Sequence, residues 1–258
     1  MGLSDREKPQ KTPGEDHMDM KLRQIAHIEN DFTDKFGIPR QAGLLKHATS
    51  RLVFEPEFRN PAALRGIEGF EYLWLLWGFS ANRRRPWAAT VKPPLLGGHR
   101  RMGVFATRSP YRPNPIGLSS VRLLGLEKSR RGTCLLLGGV DLLNGSPIYD
   151  IKPYLAYADA HPGAAGGFTD RLQWQELMVD FPEDLAKEAG IGRETYLAML
   201  EILGQDPRPA YDRDKEREFH LLYGGYDLTF CVCRERLRVL LVRSAPDRKN
   251  GLGEADGS

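Results

Sequence analysis

Apolar positions along this chain recur mostly at period two, in short runs broken by Gly, Pro or Asn. That is the pattern of half-buried strands rather than of amphipathic helices. Leu22–Ile28 and His47–Phe54 fit strands. Between them, Asp31–Leu45 reads as a loop holding Gly37, Pro39 and Gly43, and Pro39 disfavours helix at Ile38. Pro61–Ile67 fits a helical turn, capped by Asn60 with Pro61 at its first position. Tyr72–Phe79 is apolar throughout and rich in aromatics, which predicts a fully buried strand, with a buried helix as the competing reading. Ser80–Arg101 is irregular, Met102–Ala106 fits a short strand, and the three prolines of Thr107–Gly117 exclude regular structure there. Ser119–Leu126 and Thr133–Leu137 fit strands joined through Arg130-Arg131-Gly132. Within Val140–Ile151, Asn144-Gly145 is a strong hairpin signal. Residues 22–157 therefore read as many short strands, an all-β barrel or sandwich.

The pattern then changes. Asp159–Gly167 has linker composition, and Arg171–Leu203 is mainly helical, with one helix opening at Pro182 and another over Arg193–Leu203. Asp206–Tyr211 is a rigid loop. Phe219–Tyr223, Tyr226–Cys233 and Leu237–Val242 fit strands, with turns at Gly224-Gly225 and Glu235-Arg236. The expected organisation is a polar leader over 1–20, a β domain over 21–160, a smaller α+β domain over 168–245 and a polar, Gly-rich tail over 246–258.

Composition narrows the classes. The chain has 258 residues, 41% hydrophobic and 28% charged, which excludes a wholly disordered chain. No apolar run reaches the roughly 18–20 residues of a membrane span, and the N-terminus lacks a signal-peptide core, so a cytoplasmic location is expected. Three cysteines form neither a disulfide framework nor a zinc quartet, and the six histidines show no ligand spacing, so no metal is expected. Cys231 and Cys233 share one strand face, most simply as packing. The net charge of +3 says little, but its distribution says more. Between Glu71 and Glu127 there is no Asp or Glu, while Arg83, Arg84, Arg85, Lys92, Arg100, Arg101, Arg108, Arg112 and Arg122 fall in that stretch. A one-sign stretch of this length suits a polyanion. Surface arginines balanced by acids from elsewhere in the fold are the alternative.

Three segments carry candidate chemistry: Pro39-Arg40-Gln41, the Thr107–Gly117 string, and Asp141–Tyr154. Prolines stiffen the second, so Arg108, Arg112 and Asn114 are presented to an anion or a base edge with little entropy left to lose. In the third, an extended chain puts Asp150, Lys152 and Tyr154 on one face, a set suited to proton transfer, and Asp141 adds a second carboxylate. A Pro-rich crossover and a cross-strand ion pair are the structural alternatives. No dinucleotide-binding glycine turn, Walker loop or nucleophile elbow is present.

With Asp206-Pro207-Arg208-Pro209-Ala210-Tyr211, these segments resemble the TrmO or TsaA-like family of tRNA N6-threonylcarbamoyladenosine methyltransferases. The likeness covers about residues 22–245, and Arg108-Ser109 through Arg112-Pro113-Asn114-Pro115-Ile116-Gly117 is its most specific string. It implies a β-barrel that binds S-adenosylmethionine, a smaller C-terminal domain, and a homodimer with the cofactor near the interface. It also implies methyl transfer to N6 of threonylcarbamoyladenosine, at position 37 beside the tRNA anticodon. Cofactor contacts carry over onto Pro39, Arg40, Gln41, Arg112 and the turn Leu142, Leu143, Asn144, Gly145. Asp141, Asp150, Lys152 and Tyr154 are the catalytic candidates, with the substrate's own carboxylate as an alternative proton acceptor. Arg83, Arg84, Arg85, Arg100, Arg101, Arg108 and Asn114 would meet RNA. The chain departs from its relatives at Glu29-Asn30-Asp31-Phe32 (often Arg-Ser-Pro-Tyr), at Ser80-Ala81 (His-Gln) and at Asn144 (Asp), where a role needing a carboxylate cannot operate. A non-catalytic basic barrel binding tRNA or a nucleotide metabolite is the competing function, and methylation of a small molecule is a third.

Overall fold

The computed structural model describes residues 20–79, 86–96, 100–171, 176–208 and 217–245. Mainly β, these residues pack around two hydrophobic cores. The first is enclosed by β1 (Ala26–Glu29), β2 (Thr49–Phe54), β3 (Tyr72–Gly78), β6 (Ile116–Ser129), β7 (Gly132–Gly138) and β8 (Pro147–Pro153). They run in the order β1-β2-β7-β6-β3-β8, and pairing of Ala26 with Ile148 closes the ring. Ladder closure satisfies the backbone groups an open sheet would leave at its edges. Alternate residues fill the interior, among them Ile28, Leu52, Leu73, Leu75, Val121, Leu135 and Leu137, all buried. The short β4 (Thr90–Val91) and β5 (Met102–Gly103) form a separate flap.

The second core lies under a sheet of order β10-β11-β12-β9, formed by β9 (Met178–Asp180), β10 (Phe219–Tyr223), β11 (Tyr226–Cys233) and β12 (Arg236–Ser244). Helices α2 (Glu183–Glu188) and α3 (Arg193–Gly204) bury Ala186, Ala198, Met199, Ile202 and Leu203 against its inner face. A one-turn helix, α1 (Ala156–Asp159), follows the barrel. Phe32, Leu45 and Ala48, all from the loop between β1 and β2, belong to this second core. That loop is therefore held between the two bodies. Glu201 on α3 fastens its far end: one carboxylate oxygen accepts the His47 ring at 2.7 Å, and the other accepts the Lys46 and His47 backbone N–H groups at 2.8 and 3.0 Å.

Several expectations need correction. Tyr72–Phe79 does form a strand, but only one face is buried: Tyr72 is exposed and Trp74 and Leu76 are half-buried, because a barrel wall has an outside. Asn144-Gly145 is a turn, with Gly145 at φ +77°, yet it makes no hairpin. The strands it joins, β7 and β8, do not pair; β7 lies between β2 and β6, and β8 between β1 and β3. Barrel closure, which no local signal announces, overrides the local turn preference. Met102–Ala106 is strand only over Met102–Gly103 and then tightens into a 3-10 turn. β1 begins at Ala26 rather than Leu22, β2 at Thr49 rather than His47, and β6 is longer than expected at both ends. The helical reading of Arg171–Leu203 missed β9, which joins β12 in parallel through a pairing distant in sequence. Cys231 and Cys233 share the outward face and do not pack in the core. The Asn60 cap stands: its side chain accepts the Ala62 N–H at 3.0 Å.

Candidate functional site

The Pro39-Arg40-Gln41 loop sits against one end of the barrel. Gly43 N–H donates to the Gly139 carbonyl at 2.8 Å. Gly139 has φ +67°, and a Cβ there would lie 2.9 Å from Gly43 Cα, so the loop can approach the barrel this closely only because residue 139 is glycine. From the other side, the Arg40 guanidinium donates to the Asp206 carbonyl at 3.1 Å. Asp206 and Arg208 form an ion pair at 2.8 Å with side chains 9% and 5% exposed. The second body thereby holds Arg40, and Arg40 precedes the residue that faces the barrel end. Gln41 accepts a hydrogen bond from Arg108 through its side-chain oxygen. The first two candidate segments are thus joined side chain to side chain.

Asp141 is the half-buried acid of this end. Its Oδ1 accepts the Ser119 hydroxyl at 2.7 Å, and Ser119 Oγ accepts the Trp77 indole N–H at 2.9 Å. The backbone of Ala42, next to Gln41, also hydrogen-bonds the carboxylate. Burial pushes the Asp141 carboxyl above its ordinary value; the Ser119 hydroxyl, backbone hydrogen bonds and the Arg108 charge act in the opposite direction. Trp77 reaches Ser119 because Gly117, its partner across the β3–β6 ladder, has no side chain: a Cβ there would run into the indole ring.

The proline-rich loop braces itself. Thr107 Oγ1 donates to the Val104 carbonyl at 2.9 Å, Ser109 N–H to Thr107 Oγ1 and Tyr111 N–H to Ser109 Oγ, each at 3.3 Å. Arg112 donates to the Thr107 carbonyl at 3.0 Å and is half-buried, while Arg108 and Asn114 are exposed. The Leu142–Gly145 turn is pinned to β1. Asn30 donates its amide to the Leu142 carbonyl at 2.9 Å and its N–H to the Asn144 side-chain oxygen at 3.1 Å. Asn144 N–H reaches the Phe32 carbonyl at 2.9 Å, and Gly145 N–H that of Ile28 at 2.7 Å. Asn30 and Asn144 therefore bind each other. They line a polar cleft of about 330 Å³ with Glu29, Asp31, Ser50 and Arg51.

Asp150, Lys152 and Tyr154 share a face, as period two requires, but it is the outer wall of the barrel. Asp150 and Lys152 lie across from the outward Leu76 and Trp74. Both Asp150 oxygens are occupied, one by Lys152 Nζ at 2.8 Å and the other by the Ile151 N–H at 2.9 Å. The Tyr154 ring packs 5.7 Å from Trp74 and 6.2 Å from Tyr72. The four acid–base candidates thus fall into two groups, with Asp141 in the inner network and the other three outside. Arg100 and Arg101 are exposed near the flap, and Arg101 is tied to Thr90 Oγ1 at 2.8 Å. Arg83, Arg84, Arg85, Ser80 and Ala81 lie outside the described residues. Sequence reasoning missed Trp77, Ser119, Asn30 and the Asp206–Arg208 pair as members of the site. Only the unusual Gly117 and the Asp206–Tyr211 motif hinted at them. Among the described residues, no group of three His, Cys, Asp or Glu side chains is placed to hold a metal, and no helix is long and apolar enough to cross a membrane.

Comparison with known proteins fits this arrangement. The family model of the tRNA-methyltransferase O N-terminal domain matches residues 27–160, and that of the TrmO C-terminal domain matches 175–245. The chain is 40% identical over 200 residues to the tRNA (adenine(37)-N6)-methyltransferase of Escherichia coli K12, covering 76% of this chain and 85% of that one. It is 41% identical over 138 residues to the mouse enzyme of the same name, 53% of this chain and 31% of that one. A crystal structure of TrmO from Pseudomonas aeruginosa superposes with a TM-score of 0.68 at 33% identity, covering 87% of this chain and 99% of the other. With both family models matched in order and the same fold in a crystallised relative, the chain belongs to the tRNA-methyltransferase O (TrmO) family.

Proposed function

We propose that this protein is an S-adenosylmethionine-dependent tRNA methyltransferase acting at N6 of adenosine 37, with the threonylcarbamoylated base as its substrate. The relatives named above support the reaction and the tRNA, and relatives named as S-adenosylmethionine-dependent methyltransferases support the cofactor. One structural observation carries the reading. A half-buried carboxylate, Asp141, an amide, Gln41, and a guanidinium, Arg108, converge at one end of the barrel. This donor set fits the cofactor: guanidiniums of Arg108 and Arg112 suit its carboxylate, and Asp141 with Gln41 suits its ammonium and sulfonium region. Arg40 keeps Gln41 in place from the second body. When bound, the cofactor supplies an electrophilic methyl group for in-line displacement.

The chain's own work is positioning and proton transfer. An acylated N6 is a poor nucleophile until its proton leaves. Asp141 is a better acceptor than Asp150, because burial raises its basicity and because both Asp150 oxygens are engaged on the outer wall. Ser119 fixes the carboxylate, and Trp77 fixes Ser119 so that its hydroxyl proton points at Asp141. The acid-free stretch from residue 72 to residue 126 supplies the cations for tRNA phosphates. A β domain over 21–160 carries this chemistry, and the 168–245 domain holds the cofactor loop. The outer wall of β3 and β6 exposes Tyr72, Leu118 and Leu124, which suits a homodimer interface. A cytoplasmic location follows from a tRNA substrate.

The test is mass spectrometry of nucleosides from threonylcarbamoylated tRNA incubated with the protein and S-adenosylmethionine. One added methyl on threonylcarbamoyladenosine is expected. Cofactor binding with no methyl gain would reassign the substrate, and tRNA binding with no cofactor binding would favour a plain binding module.

A further inference from the structure

The flap formed by β4 and β5 presents two large aromatic rings that the chemistry above does not use. Trp87 is 55% exposed and Phe105 is 75% exposed. The flap is well tied. Thr90 pairs with Gly103 and Val91 with Met102, Val104 N–H donates to the Ala89 carbonyl at 3.0 Å, and Ala88 N–H donates to the Tyr111 carbonyl at 3.0 Å. Trp87 lies three residues before β4 and Phe105 two residues after β5, so both rings leave the antiparallel pair at its same end. Val104 is buried and anchors the 3-10 turn Val104–Ala106, in which the next ring, Phe105, is left in solvent. Exposing rings on a braced element forgoes their burial, which marks an interaction surface.

The surroundings say what kind. Lys92, Arg100, Arg101 and Arg108 are exposed on or beside the flap, and the sequence has no Asp or Glu from residue 72 to residue 126. Arg101 is held by Thr90, through Oγ1 at 2.8 Å and the carbonyl at 3.3 Å, so one cation is fixed on the flap that the rings flank. The Tyr111 backbone ties the flap to the proline-rich loop that carries Arg108, whose guanidinium binds Gln41. Aromatic faces interleaved with cations, with acids excluded, match unpaired nucleotides: bases stack on rings while phosphates meet guanidiniums. An apolar protein partner would need no such charge.

We infer that Trp87 and Phe105 are stacking platforms for unpaired anticodon-loop bases, binding them beside the barrel-end site. This rests on the tRNA methyltransferase reading above and names the surface by which the single-stranded loop is held.

The experiment uses the full chain with tRNA, and measures affinity across a salt series, S-adenosylmethionine affinity and sedimentation. Trp87→Ala and Phe105→Ala are each expected to weaken tRNA binding roughly tenfold, the scale of one lost stack. The dependence of log K on log salt should stay as in the wild type, because a stack releases no counterions. Trp87→Tyr and Phe105→Tyr should restore binding, whereas Trp87→Leu and Phe105→Leu should not. Cofactor affinity and sedimentation should be unchanged. Wild-type tRNA affinity in both alanine variants, or full rescue by leucine, overturns the inference and leaves the methyltransferase reading standing. A changed sedimentation coefficient also overturns it, by assigning the rings to a contact between subunits. A wild-type protein that binds no tRNA overturns the reading and this inference together.

Discussion

Gly139→Ala is the sharpest test of how the site is assembled. Gly139 sits at φ +67°, where an L side chain costs about 1–2 kcal/mol. Its new Cβ would lie 2.9 Å from Gly43 Cα and 3.0 Å from Gly43 N, and both contacts are backbone, so no side chain can rotate away. Restoring ordinary contact needs a loop shift of about 0.5 Å, which strains the hydrogen bond from Gly43 N–H to the Gly139 carbonyl, worth about 1 kcal/mol. Together these predict a loss of about 2–3 kcal/mol and a fall in Tm of roughly 5–10 °C for a chain of this size. Gln41 lies two residues before Gly43, so it moves with the loop. Misplacing a positioning group by about 1 Å can cost about a hundredfold in rate, so about half that displacement should cost on the order of tenfold in kcat/KM. Gly66→Ala is the control: φ is +86°, nothing lies within 4 Å of its Cβ, and it belongs to a 3-10 turn of the barrel rather than to the site. It should share the backbone strain but keep activity. Thermal melts, calorimetric titration with S-adenosylmethionine and initial rates on tRNA make the comparison. Equal activity losses in the two variants would show that loop placement does not govern the site.

Asp141→Asn should abolish most methyl transfer and also weaken cofactor binding in calorimetric titration, because it removes the negative charge that suits the cofactor's ammonium. It should also change the pH profile of stability. The folded-state pKa of Asp141 is raised by burial, so the folded protein holds that proton more tightly than the unfolded chain. Its stabilising contribution is present at pH below the ordinary value of 3.8 and is lost as pH rises through the raised folded value. The Asn variant should flatten that slope in a Tm–pH series; an unaltered slope would contradict the assignment. Arg208→Met takes one guanidinium from the buried Asp206 carboxylate, which should lower stability in denaturant unfolding and raise the cofactor KM through Arg40. A normal KM in the folded fraction would show that the second body does not position the loop. The proposed homodimer interface on the outer wall predicts that Leu118→Glu sediments as a monomer; sedimentation identical to the wild type would remove Leu118 from any interface. Glu29, held below its ordinary pKa mainly by a hydrogen bond from Arg131, stabilises the fold above that value and loses the contribution as pH falls through the lowered one. Arg131→Gln should therefore soften acid unfolding in calorimetric scans near the ordinary carboxylate range.

Much of this molecule is local, and the local part was legible. Hydrophobic patterning predicted most strands of both bodies, though not β4 or β9, Asn60-Pro61 predicted its capped turn, and Arg108 through Gly117 was odd enough to mark the family. Those features depend on neighbours a few residues away, whose propensities and caps act within the segment itself. What required the tertiary structure was every pairing between distant segments. Asn144-Gly145 turns as its sequence demands, yet joins strands that never pair, because register in a closed ring is decided by the whole wall. Asp150, Lys152 and Tyr154 do align, but which side of the wall faces the core depended on where Leu73, Leu75 and Trp77 were buried. Asp141 separates from that trio because its carboxylate is tied to Ser119, and through it to Trp77, on strands far apart in sequence that pair side by side in the wall. The Asp206–Arg208 pair reaches Arg40 across a boundary between two cores, and burial of Phe32, Leu45 and Ala48 draws that loop over. Patterning along a chain shows which residues can face one way; the energy of burying them against distant partners decides which way that is.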